Sequence, residues 1–376
     1  MKTLLPIFLL SLLLAYATER TTNGKYLKNE QSYANRVYFF LLVLTLTLPV
    51  GLRRIYNDTG AYINNFTKSL DLSRLLVSDE LHILGNPAFN IYESLVHSYT
   101  DNYHIFLMIP AAFVQYAFAS TIRRYSSRFT LGIGLYFCLG SYVLSMAAMK
   151  QTIATAIVLL ALPSLIEKKF VRYYLLVFLA FLFHTYAIAF AVLPLFINKP
   201  WNLRTFLLLL GTLFVMNNFE SIIGSFLEYA NERGKAVAEY EVFDNAQINI
   251  FRVLVYTVVP LSALLLRRYL FYGDYPKQYN VLINMSIISC AFMSLGTVSG
   301  ANMFGRMGNY FEIGIICSLT WIIERAFSRR SARWIKALAS ACFLFYFFYA
   351  YKIAMDFDAE YRAVTIMEFI QSLLSF

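Results

Sequence analysis

Apolar runs bounded by charged residues recur along the chain at about 3–17, 37–51, 104–122, 129–147, 152–166, 205–219, 249–270, 279–297, 304–323 and 334–351. A full crossing of a bilayer takes about 20 apolar residues, so several of these runs predict short or tilted spans. The first, MKTLLPIFLLSLLLAYA, has the Lys, apolar core and small-residue end of a secretory signal. We read it as a retained span because so many others follow. The stretch YYLLVFLAFLFHTYAIAFAVLPLFI, residues 173–197, is long enough for one tilted helix or for two short helices turning at His184.

Loop charge decides in favour of two. With a turn at His184, one face collects Arg20, Lys25, Lys28 and Arg36, then Arg123, Arg124 and Arg128, then Lys168, Lys169 and Arg172. Lys199 and Arg204, then Arg267, Arg268 and Lys277, and last Arg325, Arg329, Arg330, Arg333 and Lys336 follow on the same face. Lys and Arg in short loops mark the cytoplasmic side. The expected fold is an all-α polytopic membrane protein in a single transmembrane domain, 1–376, with about twelve segments and both termini outside.

Two long loops then lie outside, 52–103 and 220–248. In the first, Asn86-Pro87 has the form of an N-cap followed by Pro at the first helical position. Phe89, Tyr92, Val96, Tyr99 and Tyr103 follow at helical spacing, as do Ile63, Phe66 and Leu70 upstream. Such amphipathic helices lie in the membrane interface.

Composition agrees. The 376 residues are 59% hydrophobic and only 14% charged, more apolar than one water-soluble core can bury. The net charge of +10 reads as the bias of loops toward Lys and Arg rather than as a nucleic-acid surface. Cys138, Cys290, Cys317 and Cys342 all sit inside apolar runs, as small packing residues do.

The outer face carries the candidate chemistry. GLRRIYNDTGAYINNF sets Arg53, Asp58 and Tyr62 within ten residues of a membrane end. Asp58 reads either as a helix cap or as a general base held by Arg and Tyr. Lys150-Gln151 interrupts apolar sequence, where an unpaired Lys costs roughly 2.5–3.5 kcal/mol. It reads as a snorkelling lysine or as a contact for an anion. His184 reads as a structural histidine or as part of the same outer site. Arg306, with Glu312 two helical turns on, suits recognition of phosphate or carboxylate. No second His, Cys or carboxylate stands at ligand spacing, so no cofactor is expected and nothing asks for a metal. No ring of like charges runs through the spans, which argues for a substrate site over a pore.

GLRRIYNDTGAYINNF resembles the GLR…tDxxxY signature of the EpsG family of Wzy-like polymerases of exopolysaccharide, capsule and O-antigen. NPAFNIYESL is similar to its EPgF segment, the stretch from Lys150-Gln151 to His184 to its RQxxA-to-H region, and FGRMGNYFEIG to a late span that contains Arg. Lys150 stands where Arg is usual, Asn57 replaces a small residue, and Asn86 stands where Glu is common. The resemblance implies a polymerase outside the bacterial cytoplasmic membrane, using undecaprenyl-pyrophosphate-linked oligosaccharides as donor and acceptor. A chain-length regulator and a flippase are the partner candidates. It also implies cations for the departing pyrophosphate, with Lys150 and Arg306 first and Arg53 next, and a base, either Asp58 or His184. A GT-C-type glycosyltransferase using a polyprenyl-phosphate sugar is the nearest alternative, and a flippase of lipid-linked sugars the next.

Overall fold

A computed structural model describes residues 1–21, 33–78, 81–219, 221, 247–298 and 302–374, so the loop expected at 220–248 falls almost wholly outside the described residues. The chain divides into two compact units, one of residues 1–191 and 329–376, the other of 192–328.

The first unit is a helical bundle. α1 (Leu4–Arg20) packs on α2 (Tyr33–Gly51) and α7 (Phe129–Cys138); α2 packs on α6 (Tyr103–Tyr125), α6 on α9 (Met149–Ile166), and α9 on α10 (Phe170–Phe183). α9 is apolar around its circumference and buries most of its residues, as a helix does when neighbours surround it. α17 (Arg329–Phe348), continued by a π turn at Tyr349–Ala354, instead exposes Trp334, Leu338 and Phe345, the side chains that lipid would cover. Five described helices are long and apolar enough to cross a membrane, namely α2, α6, α9, α14 (Gln278–Leu295) and α17 with its π turn. The chain is a multi-pass membrane protein.

The expected span at 129–147 is broken. α7 and α8 (Ser141–Ala147) meet at a 50° bend, and would make a sixth crossing if taken as one. Gly140 makes the bend at φ +105°, where a Cβ would also run into the Tyr351 hydroxyl. L-residues with a side chain rarely adopt that conformation. The broken ends are tied by buried polar groups: Tyr136 donates to the Gln115 side-chain oxygen at 2.8 Å, and the Gln115 amide donates to the Ser145 hydroxyl at 2.8 Å. Such bonds leave no polar atom facing hydrocarbon.

Residues 173–197 do turn at His184. α10 stops at Phe183, His184 is extended, and a 3-10 helix runs from Thr185 to Phe196. The Tyr173 hydroxyl donates to the Phe190 carbonyl at 2.8 Å and that of Tyr174 to Ala191 at 3.3 Å, so the chain folds back along α10.

In the second unit α14 is the centre, with α11 (Leu203–Asn217), α12 (Ile250–Leu265), α15 (Asn302–Tyr310) and α16 (Ile313–Ala326) against it; a short turn of helix, α13 (Arg267–Leu270), follows α12. The span expected at 304–323 is therefore two helices. The chain turns between Gly308 and Glu312, and the Ser289 hydroxyl of α14 donates to the Gly308 carbonyl at 2.8 Å. A Cβ on Gly314 would strike the backbone of α14 at Leu282 and Ser286.

Candidate functional site

At one end of the first unit α2 stops, α6 and α9 begin, and α10 makes its turn. Residues 52–102 lie across this end as β1 (Arg53–Ile55), α3 (Thr59–Lys68), α4 (Leu72–Leu75) and α5 (Pro87–His97). The C-terminal segment closes them in. It comprises α18 (Phe357–Glu360), β2 (Arg362–Ala363) and α19 (Ile366–Leu374). β1 pairs antiparallel with β2, and the Tyr361 hydroxyl donates to the Pro49 carbonyl at 2.7 Å.

Aromatic side chains anchor the loop helices. Phe66 of α3 stacks on Phe106 at 4.6 Å, and Tyr92 of α5 stacks on the same ring at 5.5 Å. The Tyr92 hydroxyl also donates to the Phe106 carbonyl at 2.6 Å. The apolar face expected on α5 holds for Phe89 and Val96, but the helix ends at His97 and Tyr99 is 83% exposed. Asn86 does occupy the N-cap position of α5, in a left-handed conformation, yet its side chain makes no cap bond. Its oxygen instead accepts from the Thr185 backbone N–H at 3.3 Å, tying α5 to the turn beside His184.

Arg53 is buried. Its guanidinium donates to the Val50 carbonyl and, at 3.1 Å, to the Thr59 hydroxyl; its remaining nitrogen lies 3.9 Å from the Met149 sulfur. Burial lowers its pKa to about 10, which leaves it cationic at neutral pH. This arginine joins the end of α2, the start of α3 and the start of α9 from within.

Tyr62 stands on the other side of the same junction. Its ring is 5.9 Å from that of Phe89, and its hydroxyl faces the backbone N–H groups of Lys150 and Met149. Those are among the first amides of α9, whose N-cap residue, Ala148, supplies no side-chain cap. The amides at a helix start have no partner within the helix and favour negative charge. Burial raises the pKa of the Tyr62 hydroxyl, so it stays neutral.

Lys150 is half-buried, its ammonium 4.7 Å from the centre of the Phe89 ring. A cation over an aromatic face is attracted by the negative face of the ring. Gln151, next along α9, is buried inside the bundle. One turn after Phe89 on α5 stands Glu93, only 8% exposed, with an Oε1 atom that has no hydrogen-bond partner among the described residues. Burial raises its carboxyl pKa to about 7, against the opposing pull of the Lys150 charge.

The sequence-derived candidates thus fall into groups. Arg53, Tyr62 and Lys150 meet at the start of α9. Asp58 is at the N-cap position of α3 but exposed, with no side-chain cap bond, and its charge bears on Tyr62. His184 sits at the α10 turn, its ring 5.2 Å from that of Tyr186. Arg306 is exposed on α15, in the second unit. Glu312, the acidic residue two helical turns beyond it, is buried and accepts a hydrogen bond from the Tyr256 hydroxyl, while Arg252 donates to the Asn309 side chain at 2.8 Å. Glu93 escaped the sequence reading. Its signal was a carboxylate four residues after Phe89, on the stripe taken as apolar.

A family model described as the EpsG family matches residues 36–363. The chain belongs to the EpsG family. This is a Wzy-like polymerase family, and membership carries an exopolysaccharide-associated, polymerase-like role. The match takes in the loop helices, α9, the His184 turn and both strands of the β1–β2 pair. No curated protein and no solved structure matches the chain.

Proposed function

We propose that the protein polymerises undecaprenyl-pyrophosphate-linked oligosaccharide repeat units on the outer face of the bacterial cytoplasmic membrane, in exopolysaccharide, capsule or O-antigen synthesis. The observation that carries this reading is the junction at the start of α9. There the Lys150 ammonium, the first amides of the helix and the Tyr62 hydroxyl meet beneath amphipathic loop helices, in a chain of a polymerase family.

The chemistry fits that set. A sugar leaving on a lipid pyrophosphate develops negative charge on the phosphate oxygens, and preorganised cations and amides stabilise it most. Lys150 and the α9 start supply both. Arg53 positions them from behind rather than touching phosphate, because it is buried and donates to the Val50 carbonyl and the Thr59 hydroxyl. Arg306, exposed in the second unit, remains a separate candidate for recognising phosphate or sugar. The exposed apolar side chains Leu76, Val77, Ile83 and Leu84, between α4 and α5, would meet the polyprenyl tail in the outer leaflet. Gln151 supports the helix start from the core, and no cofactor or metal enters the scheme. A chain-length regulator and a flippase are its expected partners in the cell.

The test is a gel profile of surface polysaccharide from a deletion strain carrying wild type, Asp58→Asn, Lys150→Ala, His184→Ala or Arg306→Ala, with membrane levels checked by blot. Long chains restored by wild type and lost with Lys150→Ala support the reading. A deletion strain with unchanged chain length refutes it, and a missing repeat unit would move the protein to an earlier step, as a GT-C-type glycosyltransferase using a polyprenyl-phosphate sugar or as a flippase.

A further inference from the structure

We infer that Glu93, rather than Asp58 or His184, takes the proton from the acceptor hydroxyl. The assignment rests on the polymerase reading and adds to it the residue that the sequence left open between two others.

A carboxylate enclosed in protein without a partner for one of its oxygens costs several kcal/mol in lost hydration. Folds satisfy such groups unless something else holds them in place. Glu93 is 92% buried, by its 8% exposure, and Oε1 faces no donor among the described residues. Phe89, one turn earlier on α5, carries the Lys150 ammonium on its ring at 4.7 Å. Carboxylate and ammonium therefore share one face of α5 without a contact ion pair, and an unsatisfied acceptor stands beside the cation expected to meet the pyrophosphate. Asp58 is open to solvent, where water hydrates a carboxylate fully. A base enclosed by protein, with a pKa near the working pH, transfers protons more effectively; burial places Glu93 there, at about 7.

In the step itself, the acceptor oxygen forms a bond to the anomeric carbon of the donor sugar. The bond from that carbon to the pyrophosphate oxygen breaks, and its electron pair leaves with the lipid pyrophosphate. The hydroxyl proton passes to the Glu93 carboxylate. One negative charge disappears from Glu93 as one develops on the leaving group, so the Lys150 ammonium has an anionic neighbour before and after. The proton returns to water when product leaves.

The test uses membrane vesicles from the deletion strain carrying full-length protein, supplied with the lipid-linked repeat unit that strain accumulates. Glu93→Gln keeps the shape and removes the base. It is expected at wild-type abundance, with kcat reduced about a hundredfold or more at a KM within about threefold of wild type. Glu93→Asp is expected to recover part of kcat. Should Glu93→Gln be poorly inserted, the kcat of Glu93→Asp per molecule decides, since a packing role predicts no loss once abundance is corrected. Wild-type kcat in both variants, or full loss confined to Asp58→Asn or His184→Ala, would overturn the assignment while leaving the polymerase intact. Failure of wild-type vesicles to lengthen the unit would instead remove the reading on which the assignment rests.

Discussion

Among the described residues two glutamates are enclosed, one in each unit, and their surroundings are opposite. Glu312 lies where α15 turns into α16, 1% exposed, and receives the Tyr256 hydroxyl. Glu93 lies on α5 beside the start of α9 with an oxygen that receives no donor among the described residues. The first is the way a fold accommodates a charge in a membrane bundle, by donating to it. The second leaves the cost of desolvation unpaid, as sites that must act on a substrate do. The difference separates a carboxylate that holds the structure from one that waits for a ligand, although both are single acidic residues in apolar sequence.

That contrast can be broken at either end. The largest effect is expected from Glu312→Ala. It strips the Tyr256 hydroxyl of its acceptor inside the second unit and should lower stability by about 2–3 kcal/mol, with the protein depleted from membranes and unfolding early in a detergent melt. Glu93→Gln should do the reverse, because it removes a charge the fold does not satisfy. At pH 8 a gain on the order of 2 kcal/mol is expected in the same melt. The sign follows from the raised pKa: the folded protein holds the Glu93 proton more tightly than the unfolded chain does. Wild-type stability is therefore greatest below the ordinary glutamate range and falls as pH rises through about 7. Lys150 is the charged group acting on Glu93, and it does not reverse that order. The fall should be weaker in Glu93→Gln, and a curve unchanged by the substitution would show that burial does not raise this pKa.

Two smaller effects sharpen the comparison. Tyr256→Phe keeps the ring and removes one donor to Glu312, an expected cost of about 1 kcal/mol. Asn86→Ala removes the 3.3 Å bond to the Thr185 N–H and should cost no more than that, while lowering polymer length if α5 must stay in place over Lys150. A fall in stability without any change in chain length would show that this tie serves only the fold.

Much of the architecture was legible from hydrophobic runs. The membrane class, the turn at His184 and the helices of the first loop all follow from apolar spacing and loop charge. The breaks at 139–140 and 308–312 were not legible, because Gly140, Gly308 and Gly314 act through a backbone angle and through neighbours far away in sequence. At the site, Arg53, Asp58, Tyr62 and Lys150 were visible as polar interruptions of apolar sequence. Their surroundings were not, since only packing shows that Arg53 is buried and that Asp58 is exposed. Glu93 was hidden for the same reason: in sequence it is one charge on an amphipathic helix, and burial alone makes it unusual.

On the proposed function, this chain lengthens lipid-linked saccharides at the start of α9. The most direct measurement is mass spectrometry of the lipid extract from the deletion strain, carrying in turn an empty vector, wild type and Lys150→Met. Single complete repeat units on the carrier lipid are expected to accumulate with the empty vector and with Lys150→Met, and to be consumed by wild type. A deletion strain with no complete repeat unit, or with Lys150→Met consuming it as wild type does, would contradict the claim.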